Sequence, residues 1–205
     1  MDVLNLAAAV LMGYLLGSIP FGYIFGKIWG VDVRQYGSGR TGGTNVWRAA
    51  GHVLPALLTV TCDALKGVAA VLIARHIFQP AEAAAALSGA AAVYGHIWPL
   101  FLGFKGGAGG VTAGTTWMAL NPYVGIPNVI FALFVFAFGR YASLGTLSIG
   151  VGGILLSVLL WLVRPDLVSP WQIVFAVLVT IAIVITLQPN LRRLRLGTER
   201  RITLW

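Results

Sequence analysis

Three segments hold the residues able to do chemistry. The first is Gly37-Ser38-Gly39-Arg40-Thr41-Gly42-Gly43-Thr44-Asn45-Val46-Trp47-Arg48. Its four glycines free the backbone to aim several N–H groups at one point, the geometry of an anion cradle. Ser38, Thr41, Thr44 and Asn45 add neutral hydrogen-bonding groups, and Arg48 adds a fork that matches phosphate. Gly37 to Gly42 also fits the pattern GxGxxG. The preceding Asp32-Val33-Arg34-Gln35-Tyr36 is too polar for the hydrophobic strand a dinucleotide fold needs, so that reading is rejected. On composition alone, a flexible interhelical loop fits the segment too.

The second segment runs from Gly95-His96-Ile97-Trp98-Pro99 to Lys105-Gly106-Gly107-Ala108-Gly109-Gly110-Val111-Thr112. A lysine ahead of glycines suits an anion, although the Walker pattern GxxxxGK[ST] is absent. Close helix packing through small residues is the competing explanation. The third segment, Gln188 to Glu199, places Asn190 and Glu199 among Arg192, Arg193 and Arg195. It reads either as a basic stretch against anionic lipid or as an ordered part of a site. Asp63 and Lys66, three residues apart, share a helical face. They either pair with each other or extend positive charge toward a substrate.

What is missing narrows the chemistry. No histidine is followed by an aspartate five residues on, so the usual acyl-CoA acyltransferase pair is absent. No Cys/His/Asp/Glu cluster has metal-site spacing, and no serine sits in a nucleophile elbow. Cys62 is the single cysteine, which excludes an internal disulfide. Two anion cradles without a strong nucleophile point to a transferase that works by positioning and electrostatics.

The elements that hold these segments must sit in lipid. Charged residues are 10% of the 205, against roughly 25% in soluble domains. Mean hydropathy is +0.86. The net charge of +8 reflects membrane orientation and anionic substrates rather than nucleic acid, because the basic residues flank apolar runs or glycines. Spanning runs are predicted at Val3–Phe25, Val53–Ile77, Ala83–Leu102, Pro122–Phe138, Leu144–Val163 and Pro170–Leu187, with a shorter run at Val111–Leu120. If the short run crosses, eleven basic residues from Lys27 to Arg201 share the inner face, and Arg75 and Arg164 stand outside. If it does not, Arg140 and the terminal arginines move outside, against the positive-inside rule. The expectation is therefore an all-α, polytopic membrane protein with seven transmembrane helices, N-terminus outside and C-terminus cytoplasmic. The start of the chain lacks a basic signal-peptide region, so the first run is expected to persist. This topology puts all three segments on the cytoplasmic side.

Taken together, the segments resemble the PlsY family of acyl-phosphate-dependent glycerol-3-phosphate acyltransferases. The first resembles GSGNxGATNxxR, the second GHxxPxFxxFKGGKGVAT and the third HRxNIxRLxxGTE. Asp63-x-x-Lys66-Gly67 and the turn Tyr141-Ala142-Ser143-Leu144 match as well. Arg40 stands for the first motif's first Asn, Ala108 for a lysine, and Gln188 is taken as the position of the third motif's histidine.

The resemblance implies a single domain over 1–205 in the bacterial inner membrane, multi-pass, with its active site cytoplasmic. The implied partners are acyl phosphate, glycerol 3-phosphate and membrane lipid, with no nucleic acid, cofactor or metal. The glycerol 3-phosphate C1 hydroxyl attacks the acyl carbonyl and phosphate leaves. Ser38 is expected at the reacting centre, with Arg48 and Lys105 on phosphate. Thr41, Thr44, Asn45, Lys66, His96, Gly106, Gly107, Ser143 and Asn190 are expected to bind substrate. Asp63 and Glu199 are expected to be structural. The alternatives are a transporter of a small phosphorylated anion and an acyltransferase with another acceptor.

Overall fold

A computed structural model describes residues 2–203, with only the backbone of Asp2. Among the described residues the chain is all-helical, with nine α-helices and three short 3-10 turns. Six stretches are long and apolar enough to cross a membrane: Val3–Ile28, Val53–Ile77, Ala81–Leu102, Pro122–Gly139, Ala142–Val163 and Pro170–Arg195. Large apolar side chains such as Leu57, Leu65, Phe131, Leu133, Leu155 and Leu159 point outward, as lipid rather than water would require.

The first apolar run is not one helix. It divides into α1 (Asp2–Gly17) and α2 (Phe21–Ile28). Pro20 supplies no N–H and disfavours helical geometry at Ile19. The carbonyl freed at Ile19 is not left bare, since Lys66 Nζ donates to it at 3.0 Å. The predicted run Val3–Phe25 is thus corrected to two helices with a capped break.

A loop and the short α3 (Gly43–Ala50) lead into α4 (Val53–Ile77). The alanine-rich α5 (Ala81–Ile97) lies at the centre of the bundle, and most of its residues are buried. Its close approach to α1 depends on small residues: a Cβ on Gly17 would overlap the backbone of Ala92, and one on Gly95 would overlap Tyr14 and Ser18. Beyond α5 the chain turns through Leu100–Leu102 and comes back alongside its own helix end. Gly106 N–H donates to Ile97 O at 3.1 Å and Gly107 N–H to His96 O at 3.0 Å.

The short run becomes α6 (Gly110–Leu120), 11 residues long and so about 16 Å. It begins at mid-depth, where Thr112 Oγ1 donates to the Asp63 carbonyl at 3.1 Å, inside α4. It ends beside the far end of α4, where Arg75 donates to Leu120 O at 3.1 Å. There Asn121 binds Leu167 O and Gln172 Oε1, and its Oδ1 caps Tyr123 N–H at the start of α7 (Pro122–Gly139). α8 (Ala142–Val163) and α9 (Pro170–Arg195) complete the bundle. The last predicted run stopped at Leu187, yet α9 continues through Pro189 to Arg195. Asn190 and Arg193 are therefore helical residues, not part of a trailing tail.

Candidate active site

The first loop is shaped by one carboxamide. Asn45 Oδ1 accepts from Ser38 N–H at 3.0 Å, and Nδ2 donates to the carbonyls of Val33 and Arg40, each at 2.8 Å. Both donors of Asn45 are therefore used in folding the loop. Left-handed turns at Gly37 and Gly39 (φ +54° and +71°) let it curl around that side chain. The loop ends at Gly42, which caps α3 without a side chain, and Gly42, Gly43 and Thr44 line the same hollow as Ser38. Arg48, on the last turn of α3, faces it too.

A buried polar cluster forms the deep wall. Lys66 Nζ lies 2.7 Å from Asp63 Oδ1, and His96 Nδ1 lies 3.3 Å from the same oxygen. All three residues are at most 5% exposed. Asp63 and Lys66 do pair, as one of the two sequence readings held, and His96 joins them. Gly107 packs against the imidazole so closely that a Cβ there would overlap Nε2.

The third wall is α9 and the chain beyond it. Asn190 Nδ2 donates to Glu199 Oε1 at 2.6 Å, Ser143 Oγ to the same oxygen at 3.3 Å, and Arg193 Nε to Oε2 at 2.7 Å. Glu199 is thus the partner of an arginine and the hub of this wall. Beyond Glu199 the described residues fold back as a strap through Arg201 and Ile202. Ile202 is fully buried, its N–H donates to Arg140 O at 2.8 Å, and Arg140 Nε donates to Ile202 O at 3.1 Å. Arg201 binds the Tyr141 hydroxyl at 3.0 Å.

These walls enclose a polar cavity of about 130 Å³. Of the expected residues, Ser38, Thr44, Asn45, Arg48, Asp63, His96, Ser143, Asn190 and Glu199 line it. Thr41, Gly106 and Gly107 are buried behind it, and Lys66 backs it through Asp63. Lys105 stands on the exposed loop outside the lining. Arg40, Arg200 and Leu187 line the cavity without having been assigned a role in it.

Gln188 is exposed and does not line the cavity, whereas Leu187 is buried and does. The motif HRxNIxRLxxGTE sets its histidine three residues before the asparagine. Counting back from Asn190 gives Leu187. The assignment of that histidine to Gln188 is corrected accordingly, and the motif's own spacing held the signal.

The cavity's electrostatics are lopsided. Its two acids are committed, Asp63 to Lys66 and His96, Glu199 to Arg193. Among the described residues, Arg40, Arg48 and Arg200 have no carboxylate partner within ion-pair distance. Burial, then the like charge of Arg193, lowers the pKa of Arg40, opposed by Glu199. Burial, then Arg200, lowers that of Arg48, again opposed by Glu199. Each arginine would be relieved by an incoming anion.

Beside the cavity lies an apolar groove of about 390 Å³, lined by residues including Val60, Ala64, Leu133, Phe136 and Ile149. The two spaces share Thr44, Gly110, Val111, Ala142 and Thr146. An anionic head and a long apolar chain thus have adjoining places.

Residues 7–197 match the glycerol-3-phosphate acyltransferase family model. The chain belongs to this family. It is 39% identical over 188 residues to a glycerol-3-phosphate acyltransferase of Trichlorobacter lovleyi, covering 92% of this chain and 93% of that one. A relative from Thermus thermophilus is 38% identical over 193 residues, 94% of this chain and 93% of its own. The fold matches the crystal structure of PlsY, an integral membrane glycerol 3-phosphate acyltransferase, in its glycerol 3-phosphate form. The TM-score is 0.84 at 32% identity, over 96% of this chain and 95% of that one. A lysophosphatidic acid form of PlsY matches with a TM-score of 0.82 at 32% identity, over 96% of this chain and 94% of that one. The transporter reading drew on the same basic, glycine-rich segments that membership in an acyltransferase family now explains.

Proposed function

We propose that this chain transfers a fatty acyl group from acyl phosphate to the C1 hydroxyl of glycerol 3-phosphate, forming lysophosphatidic acid and phosphate. The observation that carries the reading is the junction of an apolar groove with a cavity whose carboxylates are already paired and whose arginines Arg40, Arg48 and Arg200, among the described residues, are not. An acyl phosphate needs both at once, and its carbonyl then falls at the shared rim. The glycerol 3-phosphate and lysophosphatidic acid forms of the similar PlsY are an acceptor and a product of this reaction.

The chemistry balances without a cofactor. The C1 oxygen forms a bond to the acyl carbon, the bond from that carbon to the phosphate oxygen breaks, and the hydroxyl proton passes to the departing phosphate. The donor is already activated, so the protein's task is to bring two anions together. Arg48 and the amides at the start of α3 neutralise phosphate, and Lys105 adds charge from the exposed loop outside the lining. Ser38 stands at the reacting centre, and Asn190 orients the acceptor. The Asp63–Lys66–His96 cluster stiffens the deep wall.

The site faces the cytoplasm of a bacterial inner membrane, on a single domain with seven crossings and its N-terminus outside. Two observations support the seventh crossing, by α6. α6 runs from the middle of α4, beside Asp63, to its far end. The returning glycine loop ahead of α6 makes up part of the depth its 11 residues do not reach.

Gly114 tests the donor half of the reading. It lines the groove, and a Cβ there would already press on Val129 and Ile149. Gly114→Leu should shift the preference toward shorter acyl phosphates and leave the KM for glycerol 3-phosphate unchanged. An unaltered chain-length profile in a folded variant would remove the groove from the donor site.

A further inference from the structure

Arg40 presents an unbalanced arrangement. Its guanidinium reaches across the cavity from the first loop and donates through Nη2 to the Thr186 carbonyl on α9. That is its one side-chain hydrogen bond among the described residues, and guanidinium has five N–H groups. It lines the polar cavity without a carboxylate partner. A half-buried charge with unused donors is costly unless something completes it. No carboxylate among the described residues does so, because Glu199 is held by Arg193, Asn190 and Ser143.

The position of Arg40 says which anion fits. The apolar groove is bounded by α4, α6, α7 and α8 with Thr44, and neither Arg40 nor any residue of α9 lines it. The phosphate of an acyl phosphate must lie at the groove's rim, near Thr44, Gly110 and Thr146. Arg40 instead lies against α9, on the side of Asn190. Two other lining positions, Ala108 and Leu187, carry no charge, although the family motifs have a lysine and a histidine there. Thr186, which Arg40 grips, is the neighbour of Leu187.

We propose that Arg40 is the residue that binds the acceptor's phosphate in this chain, a cation supplied from the first loop to the stretch of α9 left apolar at Leu187. The assignment deepens the acyltransferase reading and rests on it for the identity of the acceptor. It makes Arg40 a specificity residue. A phosphorylated acceptor is held by its fork, and unphosphorylated glycerol is not.

The test uses the purified full-length protein in detergent, with kinetics for each substrate varied separately and ligand-dependent thermal shifts. Arg40→Asn should raise the KM for glycerol 3-phosphate roughly ten- to a hundredfold, as loss of a charge-assisted contact does. The KM for acyl phosphate should stay within about twofold. Arg40→Lys, which keeps the charge but not the fork, should recover part of the loss. Glycerol 3-phosphate should raise the melting temperature of the wild type and lose that effect in Arg40→Asn. The proposal is overturned if Arg40→Asn lowers the melting temperature but keeps the wild-type ligand shift, since Arg40 would then only bridge two elements. It is equally overturned if the KM for acyl phosphate rises instead. A wild type that binds glycerol 3-phosphate through Arg40 but transfers no acyl group would sink the reaction and leave the arginine's role standing.

Discussion

Asn190 and Glu199 are joined by a 2.6 Å hydrogen bond from carboxamide to carboxylate, and it fixes which way the asparagine faces. Its Nδ2 is held by the protein, while its Oδ1 is buried without a hydrogen-bond partner. A buried acceptor left open in a cavity wall is suited to a substrate hydroxyl.

Asn190→Ala should therefore act on binding and stability together. Losing one neutral hydrogen bond to the acceptor should raise its KM by about two- to tenfold, from a net value of about 0.5–1.5 kcal/mol. Leaving Glu199 one donor short should cost about 1–3 kcal/mol of stability. Asn190→Asp should be worse, because it sets two carboxylates against each other. Denaturant titration in detergent, beside acceptor kinetics, checks both effects. Wild-type KM in Asn190→Ala would take this residue out of the acceptor site.

Arg48→Ala and Lys105→Ala test the rest of the phosphate cradle. Each charge-assisted contact is worth about 1.5–3 kcal/mol, so either loss should impair handling of a phosphate by tenfold or more. Arg48→Lys should recover only in part, because an ammonium lacks the paired donors of the fork. Initial-rate kinetics for both substrates decide it. If both alanine variants keep wild-type values, the cradle is wrongly drawn.

Gly107→Ala should damage the deep wall. A Cβ there would overlap the His96 ring, which is pinned on its other side by Asp63 at 3.3 Å. The expected result is a fall in melting temperature with loss of turnover. Gly139→Ala, whose added Cβ meets only Leu144 at 3.8 Å, should be tolerated. Equal behaviour of the two variants would mean the loop yields easily.

The membrane elements were legible where length and hydropathy decide the outcome. Val53–Ile77 emerged with its predicted ends because a polar, glycine-containing turn precedes it. The break at Ser18–Pro20 was marked by Pro20, but continuous hydropathy across it masked the signal. The extension of α9 past Pro189 depends on the packing of Asn190 and Arg193 against Glu199, which no window average reports. In the site, Ser38, Arg48, His96 and Asn190 were legible because their motifs hold them at fixed spacing. Asn45 was legible as a position but not as a job: only the fold shows both its donors spent on the loop. The strap was not legible, since Arg140 meets Ile202 through the backbone of that residue, which its side chain does not signal. Position 188 shows how sharp the helical period is. One residue turns a side chain by about 100°, enough to separate Leu187 in the wall from Gln188 outside it.

Thiol labelling in intact cells tests the proposal of seven crossings. With Cys62, the one native cysteine, replaced by alanine, Pro165→Cys should react with an impermeant reagent. Arg195→Cys should react only after the cells are opened. Labelling of position 195 from outside would remove the crossing by α6.

The most direct test of the account is the stoichiometry of the reaction catalysed by the purified protein. Acyl phosphate and glycerol 3-phosphate are supplied together, then each alone, and phosphate and lysophosphatidic acid are both quantified. One phosphate should appear per lysophosphatidic acid, with no product when acyl-CoA is the donor and negligible phosphate release without the acceptor. Ser38→Ala should lower that turnover on the order of 10²–10³-fold, as removal of one well-placed group at a reacting centre does. Phosphate release that ignores glycerol 3-phosphate, or lysophosphatidic acid formed from acyl-CoA but not from acyl phosphate, would contradict it.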